Sequence, residues 1–477
     1  MSGSAEHRRA WGRYLRARDY VDEGLIRRHV IPSSTSKPSP RDWMRQRLLP
    51  ALDHPERAFR AIHVTGTAGK GSVATMIAEI LRAAGYRTGL HRSPYLQVAT
   101  ENLWVDGAYA SADAYADLVD ALRPLAEALR GPAVPLRVLV AVALCLEHFR
   151  RQQVEVGVIE VGAGGRFDAT NVLQTEVAVL TNVGHDHLET LGPTLEDVAW
   201  HKAGVIQGGC TAVVFADDED DPLWRAAQRQ AAQVGATLHR VRASDLRYLP
   251  AADGTGRVAL RTSRHGEQEL PLAMAGPAQA RNAALAVAAC EAFDPGGTRI
   301  EATALRQGLA QARLPARGEW LSDAARRRTG TVPRVLLDGA HNPDKLGALQ
   351  ALLQEPAARR RARLHLLLGA LRSKPVGDAC AALARQADRV TVTEPGVYGK
   401  DAHPAAALAE QLRPHTRRPP AVQPSARTAL AEVLAEAHAD DLVVITGSLY
   451  LAGALRELWH PAADVLLERS SWPSERS

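Results

Sequence analysis

Aromatic residues are scarce in this chain of 477 residues: Phe, Trp and Tyr make up 5%, with five Phe in all. A site built by stacking several flat rings has little to draw on. Cysteine is equally thin, and the four present (Cys145, Cys210, Cys290, Cys380) lie in apolar runs without a C-x-x-C pair that could clip a metal. Buried free thiols in a reducing cytoplasm fit that pattern. No stretch reaches the roughly 18 apolar residues of a membrane span, and the start "MSGSAEHRRAWGRYLRARDY" has no apolar core for a signal peptide. Charge of one sign is not concentrated either: 58 Lys plus Arg face 53 Asp plus Glu, spread along the chain. That is a solvated surface, without the footprint of a nucleic-acid partner. The expectation is a soluble cytoplasmic protein with neither membrane nor nucleic acid as partner.

Hydrophobic residues make up 46% of the chain, enough for more than one core, since single cores seldom grow past about 250 to 300 residues. After a basic, helix-like start, "IPSSTSKPSPRDW" (31–43) carries three prolines and four serines, so residues 1–60 read as an irregular extension. From residue 61 strands alternate with helices. Runs at 61–64, 154–162, 176–184 and 211–215 are nearly continuous in Val and Ile, as in a parallel sheet covered on both faces. Segments around "SPYLQVATENLWVDG" and "RTSRHGEQELPLAM" look like hairpins. A second series follows, at 334–340, 362–370, 389–395 and 441–447. The predicted fold class is α/β in two domains: a mostly parallel, P-loop-type sheet over 1–313, and a smaller Rossmann-like domain over 314–477.

"HVTGTAGKGS" places three glycines and a lysine between a buried strand and an amphipathic helix. The strict P-loop would have Gly at Val64 and Ser or Thr at Gly71. An ordinary glycine turn would explain the glycines alone. Yet Gly66, Gly69 and Gly71 free backbone N–H groups to converge on phosphate at a helix N-terminus, Lys70 can bridge phosphates, and the Ser72 hydroxyl can lie near Mg²⁺.

The other strand ends are also polar. Glu160 closes the second run before "GAGGR", where open α/β sheets hold ligands and a carboxylate can hold a metal. His185, Asp186 and His187 follow the third run, and Thr194 with Asp197 caps the helix that carries Lys202. In the second domain Asp338, His341 and Asn342 follow a strand in "LLDGAHNP", which also reads as a helix start with Asn342 as cap and Pro343 at its first position.

Together "GTAGKGS", "SPYL", "EVGAGGRFDATN", "GHDHLETLGPTLEDVAWHKAGVI", "LDGAHNP" and "TGSLYLAGALREL" resemble, in order, the folylpolyglutamate synthase and dihydrofolate synthase family of the Mur ligase superfamily. The resemblance implies a monomeric ATP-dependent ligase. Such an enzyme activates a small-molecule carboxylate as an acyl phosphate and joins it to the amino group of L-glutamate. By position, Gly66, Thr67, Gly69, Lys70, Gly71 and Ser72 would hold ATP. Ser72, Ser93, Glu160, His187 and Lys202 would hold two Mg²⁺ ions, Lys202 as a carbamate. Asn282 resembles the adenine-side asparagine, Arg317 the linker arginine on the phosphates, and Asp338 and His341 the closing residues from the second domain. Lys70, His187, Lys202, Arg317 and His341 would be catalytic.

The departures cluster on the folate side. "SPYLQVATEN" has Tyr95 for the family's His, Ala99 for an aromatic and Asn102 for Arg; "LRVLVAVALC" puts Leu139 and Val140, or neighbours such as Val138, where a Phe and a Glu are usual. Ala278 replaces a His, and Lys400 lies near where Arg is usual. Two other readings follow: the same ligase on a non-folate carboxylate or with another amino acid, and a P-loop ATPase switch without ligation.

Overall fold

A computed structural model describes residues 5–25, 38–131, 134–186, 188–374, 377–397 and 399–473. Among these, the first sheet holds eight strands: β1 (Arg60–Thr65), β2 (Thr88–His91), β3 (Trp104–Val105), β4 (Ala108–Tyr109), β5 (Val156–Glu160), β6 (Thr175–Leu180), β7 (Thr211–Phe215) and β8 (Thr237–Val241). Their order is β4-β3-β2-β5-β1-β6-β7-β8. All neighbours run parallel except the two pairs involving β3. The Val and Ile runs fill it: β5 is buried at every residue, as a strand covered on both faces requires.

The helix Lys70–Ala83 covers one face with Val73, Met76, Ile77, Ile80 and Leu81, none more than 1% exposed. The β3–β4 hairpin turns at Asp106 and Gly107, both at positive φ, which this tight connection demands. The second hairpin-like stretch is β10 (Gly256–Thr262) with β11 (Gly266–Leu272), paired to β9 (Leu246–Pro250) in a small antiparallel sheet.

The third sheet comprises β12 (Glu319–Trp320), β13 (Arg334–Leu337), β14 (Leu364–Leu368), β15 (Arg389–Glu394), β16 (Ala421–Ser425) and β17 (Leu442–Thr446). It runs β12-β13-β17-β14-β15-β16, with β12 alone antiparallel. The two parallel sheets carry separate buried clusters. All four cysteines are buried and free. No helix among the described residues is long and apolar enough to cross a membrane.

The helix-like start is borne out, and the expected irregular extension over 1–60 is corrected beyond it. Residues Ala5–Asp19 are α-helical and continue as a π-turn over Tyr20–Gly24, and further helical turns span Pro40–Trp43 and Met44–Leu48. The first helix is Arg-rich and buries little beyond Tyr14 and Ala17, so its apolar stripe is faint in sequence. It is pinned by Arg13 to Asp113 and Asp117 (2.7 and 2.6 Å) and by the Tyr14 hydroxyl, which accepts from Ala99 N at 2.8 Å. Residues 31–37 of the proline and serine run lie outside the described residues.

Candidate functional site

The ends of β5, β1 and β6 are adjacent, and the loops leaving them form one edge. After β1 the chain turns through Gly66 and Gly69, both at positive φ. A Cβ on Gly66 would sit 1.8 Å from Thr181 Oγ1, and one on Gly69 2.5 Å from Asn282 Oδ1. Only glycine fits at either place. The loop is braced from β6: Asn182 Oδ1 accepts from Thr67 N and Ala68 N (3.1 and 2.8 Å), and Gly184 N donates to Thr67 Oγ1 at 3.0 Å. Lys70 Nζ curls back to Gly66 O at 3.0 Å, and Ser72 is buried.

Glu160 sits across from this loop. Its Oε2 accepts from Ser93 N at 3.2 Å and lies 3.3 Å from where a Cβ on Gly71 would be. Gly71, Ser72, Ser93 and Glu160 thus share one neighbourhood. Asn282, on the helix Pro277–Phe293, closes the loop from above and is steadied by Gln279 Oε1, 2.9 Å from its Nδ2.

Lys202 projects from the helix Leu195–Ala203, whose start carries the Thr194–Asp197 capping box. The residue is 2% exposed, and its amine lies well below the ordinary lysine pKa, first through burial and then through Lys70, with Asp186 opposing. His187 lies outside the described residues.

The second domain faces this edge. Asn342 caps the helix Pro343–Leu352 with Pro343 at its first position. Asn342 Nδ2 also donates to Asp186 Oδ2 at 3.1 Å, and Lys374 Nζ to Asp186 Oδ1 at 2.5 Å, so Asp186 ties the domains together. Asp338 accepts from Gly318 N and Ala340 N (2.7 and 2.8 Å), and burial raises its pKa. Burial lowers the pKa of Arg317, while Asp338 and Glu160 oppose this from the two domains. His341 Nδ1 donates to Gly339 O at 2.7 Å, which leaves Nε2 to accept from Lys345 Nζ at 3.1 Å. Burial, with Lys70 and Arg317 next, pushes Lys345 down to about 7. Lys345 carries no motif signal in the sequence.

A cavity of about 740 Å³ opens between the domains on the side of Ser93. Of the departures noted above, Tyr95, Ala99, Asn102, Val138 and Lys400 line it. Leu139 and Val140 do not: they are 0% and 3% exposed and face the core, so of the three it is Val138 that faces the cavity. The first helical segment contributes Asp22, which sequence reading missed. Arg137 Nε and Nη2 donate to its Oδ1 at 3.2 and 3.0 Å, and the Tyr95 hydroxyl donates to Oδ2.

Among the described residues no three His, Cys, Asp or Glu side chains converge as a ready metal site. A single carboxylate with two hydroxyl oxygens beside a phosphate cradle nonetheless suits Mg²⁺. That ion takes one or two carboxylates and completes its shell with water and phosphate, and the glycine-lined gap at Gly71 leaves room next to Glu160.

A glycine-lined phosphate-type cradle beside Glu160, and an interdomain cavity that reaches it at Ser93 under a second parallel-sheet domain, are the arrangement of an ATP-dependent acid–amino-acid ligase of the Mur type. Residues 136–290 match the Mur ligase middle domain, and 324–449 the Mur ligase glutamate ligase domain. Folylpolyglutamate synthase of Lacticaseibacillus casei is 34% identical over 423 residues, covering 86% of this chain and 92% of that protein. The dihydrofolate synthase/folylpolyglutamate synthase of Mycobacterium tuberculosis is 31% identical over 442 residues, covering 86% and 88%. A solved Mycobacterium tuberculosis folylpolyglutamate synthase, complexed with ADP and AMPPCP, superposes with a TM-score of 0.79 at 28% identity, covering 94% of this chain and 99% of that one. An FPGS–AMPPCP–folate complex gives 0.75 at 29%, covering 93% and 98%. The chain belongs to the folylpolyglutamate synthase and dihydrofolate synthase family.

Proposed function

We propose that the protein uses ATP to join a folate-type carboxylate to the amino group of L-glutamate, acting as a cytoplasmic monomer. One observation carries this: Ser93 lines the acceptor cavity while its backbone N–H holds Glu160 against the Gly71 turn. The acceptor carboxylate and the terminal phosphate of ATP therefore meet at one carboxylate.

The roles follow from position and charge. Gly66, Gly69 and Gly71 present backbone amides to the phosphates, Thr67 braces the loop through Asn182, Lys70 leaves Gly66 O to bridge the phosphates, and Asn282 borders the adenine. Ser72, Ser93 and Glu160 would hold Mg²⁺, with His187 and Lys202 on a second ion. When bound, Mg²⁺ neutralises charge on the phosphates. Burial pushes the Lys202 amine well below its ordinary pKa, which favours the neutral nucleophile that takes up CO₂, and as a carbamate it would offer oxygens in place of a cation. Arg317, Asp338 and His341 arrive from the linker and second domain, so alignment needs closure. The carboxylate accepts the phosphoryl group, the amine attacks the acyl carbon, and phosphate leaves.

A second reading, another carboxylate in the same engine, is favoured by the cavity wall: Tyr95, Ala99 and Val138 stand where the family has other residues, and the described lining holds no Phe or Trp. Phosphate release is measured with ATP and L-glutamate, with dihydropteroate, tetrahydrofolate or other carboxylates as acceptor. Turnover with a pteridine supports the first reading and turnover only with another carboxylate the second. Release without acceptor, unaffected by Lys202→Ala, means an ATPase switch and defeats both.

A further inference from the structure

Beside the acceptor cavity lies a much smaller pocket of about 30 Å³, walled by Gly71, Arg92, Ser93, Glu160 and Arg317 among others. That is room for about one water or one oxygen of an anion. Arg92 follows directly on β2, at the same sheet edge as Glu160, and is 7% exposed. Its guanidinium makes a long hydrogen bond of 3.4 Å from Nη1 to Thr75 Oγ1, reaches the Tyr109 hydroxyl, and feels the Glu79 carboxylate.

A guanidinium carries five donors, and burial ordinarily demands partners for them. Glu101, also at this pocket, is already used: it accepts from Leu96 N, Gln97 N and Val98 N at 2.9, 2.8 and 2.9 Å. Arg317 brings a second cation to the same walls, and the two guanidiniums act unfavourably on each other. Glu160 and Glu101 balance the two cations on these walls, but Glu101 is turned to its backbone donors, so both guanidiniums keep N–H groups for a volume that fits one anionic oxygen. Ser93 borders both this pocket and the large cavity, so the anion enters from the acceptor side.

We infer that Arg92 is a catalytic residue that holds the acyl oxygen of the acceptor carboxylate, with Arg317, through both half-reactions. The inference rests on the ligase reading above. In the first step one carboxylate oxygen bonds to the γ-phosphorus, the bond from that phosphorus to the β,γ-bridging oxygen breaks, and its electron pair leaves with ADP. The other carboxylate oxygen stays on Arg92. In the second step the amine nitrogen bonds to the acyl carbon and the carbonyl pair moves onto the oxygen that Arg92 holds. Collapse of this oxyanion breaks the bond to phosphate, which departs with the electron pair and takes up the amine proton. A donor aimed at an oxyanion acts most strongly where water is excluded.

The test compares wild type with Arg92→Met and Arg92→Lys. Arg92→Met is expected to lower kcat by about 10²- to 10³-fold while the KM for ATP stays within about twofold. Its melting temperature should be little changed, because the hydrogen bond lost to Thr75 is long; Arg92→Lys should recover part of the rate. Wild-type kcat in Arg92→Met overturns the inference, as does a rate loss that only tracks a lowered melting temperature. If wild type turns over no acceptor, the ligase reading falls, and Arg92 is judged by calorimetry with ADP and inorganic phosphate: equal affinity in wild type and Arg92→Met overturns it, and weaker binding by Arg92→Met upholds the anion site.

Discussion

Arg456 Nε lies 2.9 and 3.0 Å from the two carboxylate oxygens of Glu319, and their side chains are 0% and 2% exposed. The same guanidinium donates to Gln97 Oε1 at 2.6 Å and to Ser471 O at 2.7 Å, and it lies over the Trp472 ring. Glu319 Oε2 also accepts from Ala316 N at 2.8 Å. One buried pair thus joins the interdomain linker, the loop that carries Tyr95, and the segment after the last helix.

Breaking that pair from one side strands the other charge. Glu319→Ala is expected to cost about 3–5 kcal/mol, the usual penalty for an uncompensated buried ion, measured by urea unfolding. Gln97→Ala removes one neutral partner and should cost about 1 kcal/mol.

Gly69→Ala places a methyl 2.5 Å from Asn282 Oδ1 at a φ of +82°. The left-handed backbone alone costs about 1 kcal/mol, and the contact pushes Asn282 off the cradle. The KM for ATP should rise more than about tenfold, with the acceptor KM little changed.

Asp22 ties Arg137 and Tyr95 together at the cavity wall. Asp22→Ala frees both, so the KM for acceptor should rise about tenfold or the preferred acceptor change, while ATP binding is kept. An unaltered acceptor profile in steady-state kinetics would place recognition elsewhere.

Lys345 has a folded pKa near 7, below its ordinary 10.5. Between these values the unfolded chain binds a proton that the folded one does not, so stability of the ligand-free protein gains from this group as pH rises and loses as pH falls towards 7. Lys345→Met should therefore melt higher than wild type near pH 7, with the gap shrinking towards pH 10. A constant gap across that range in thermal melts would contradict the assignment.

What could be read in advance was local. The glycine turn, Glu160 at its strand end, the Thr194 and Asn342 caps and both hairpins each depend on a few neighbouring residues. Asp22, Arg92, Lys345 and Arg456 had no such signal, because their surroundings come from distant parts of the chain: 115 residues separate Arg137 from Asp22 and 137 separate Arg456 from Glu319. The first helix was legible as a helix-like basic start, but its packing was not, since arginines dominate it and its few buried residues face a wall that exists only after folding. Val138 and Leu139 show the limit at a single helix: the motif located the stretch, and only packing decides which of two neighbours faces the cavity.

The acceptor cavity borrows Asp22 from the first helical segment, Tyr95 from the first sheet's loops, and Lys374 and Lys400 from the second domain, whose Lys374 also grips Asp186. Its walls therefore come from three separate stretches of the fold, so the shape of the cavity exists only while all three are docked, and a change that loosens any one of them alters the room beside Ser93 without touching the phosphate cradle.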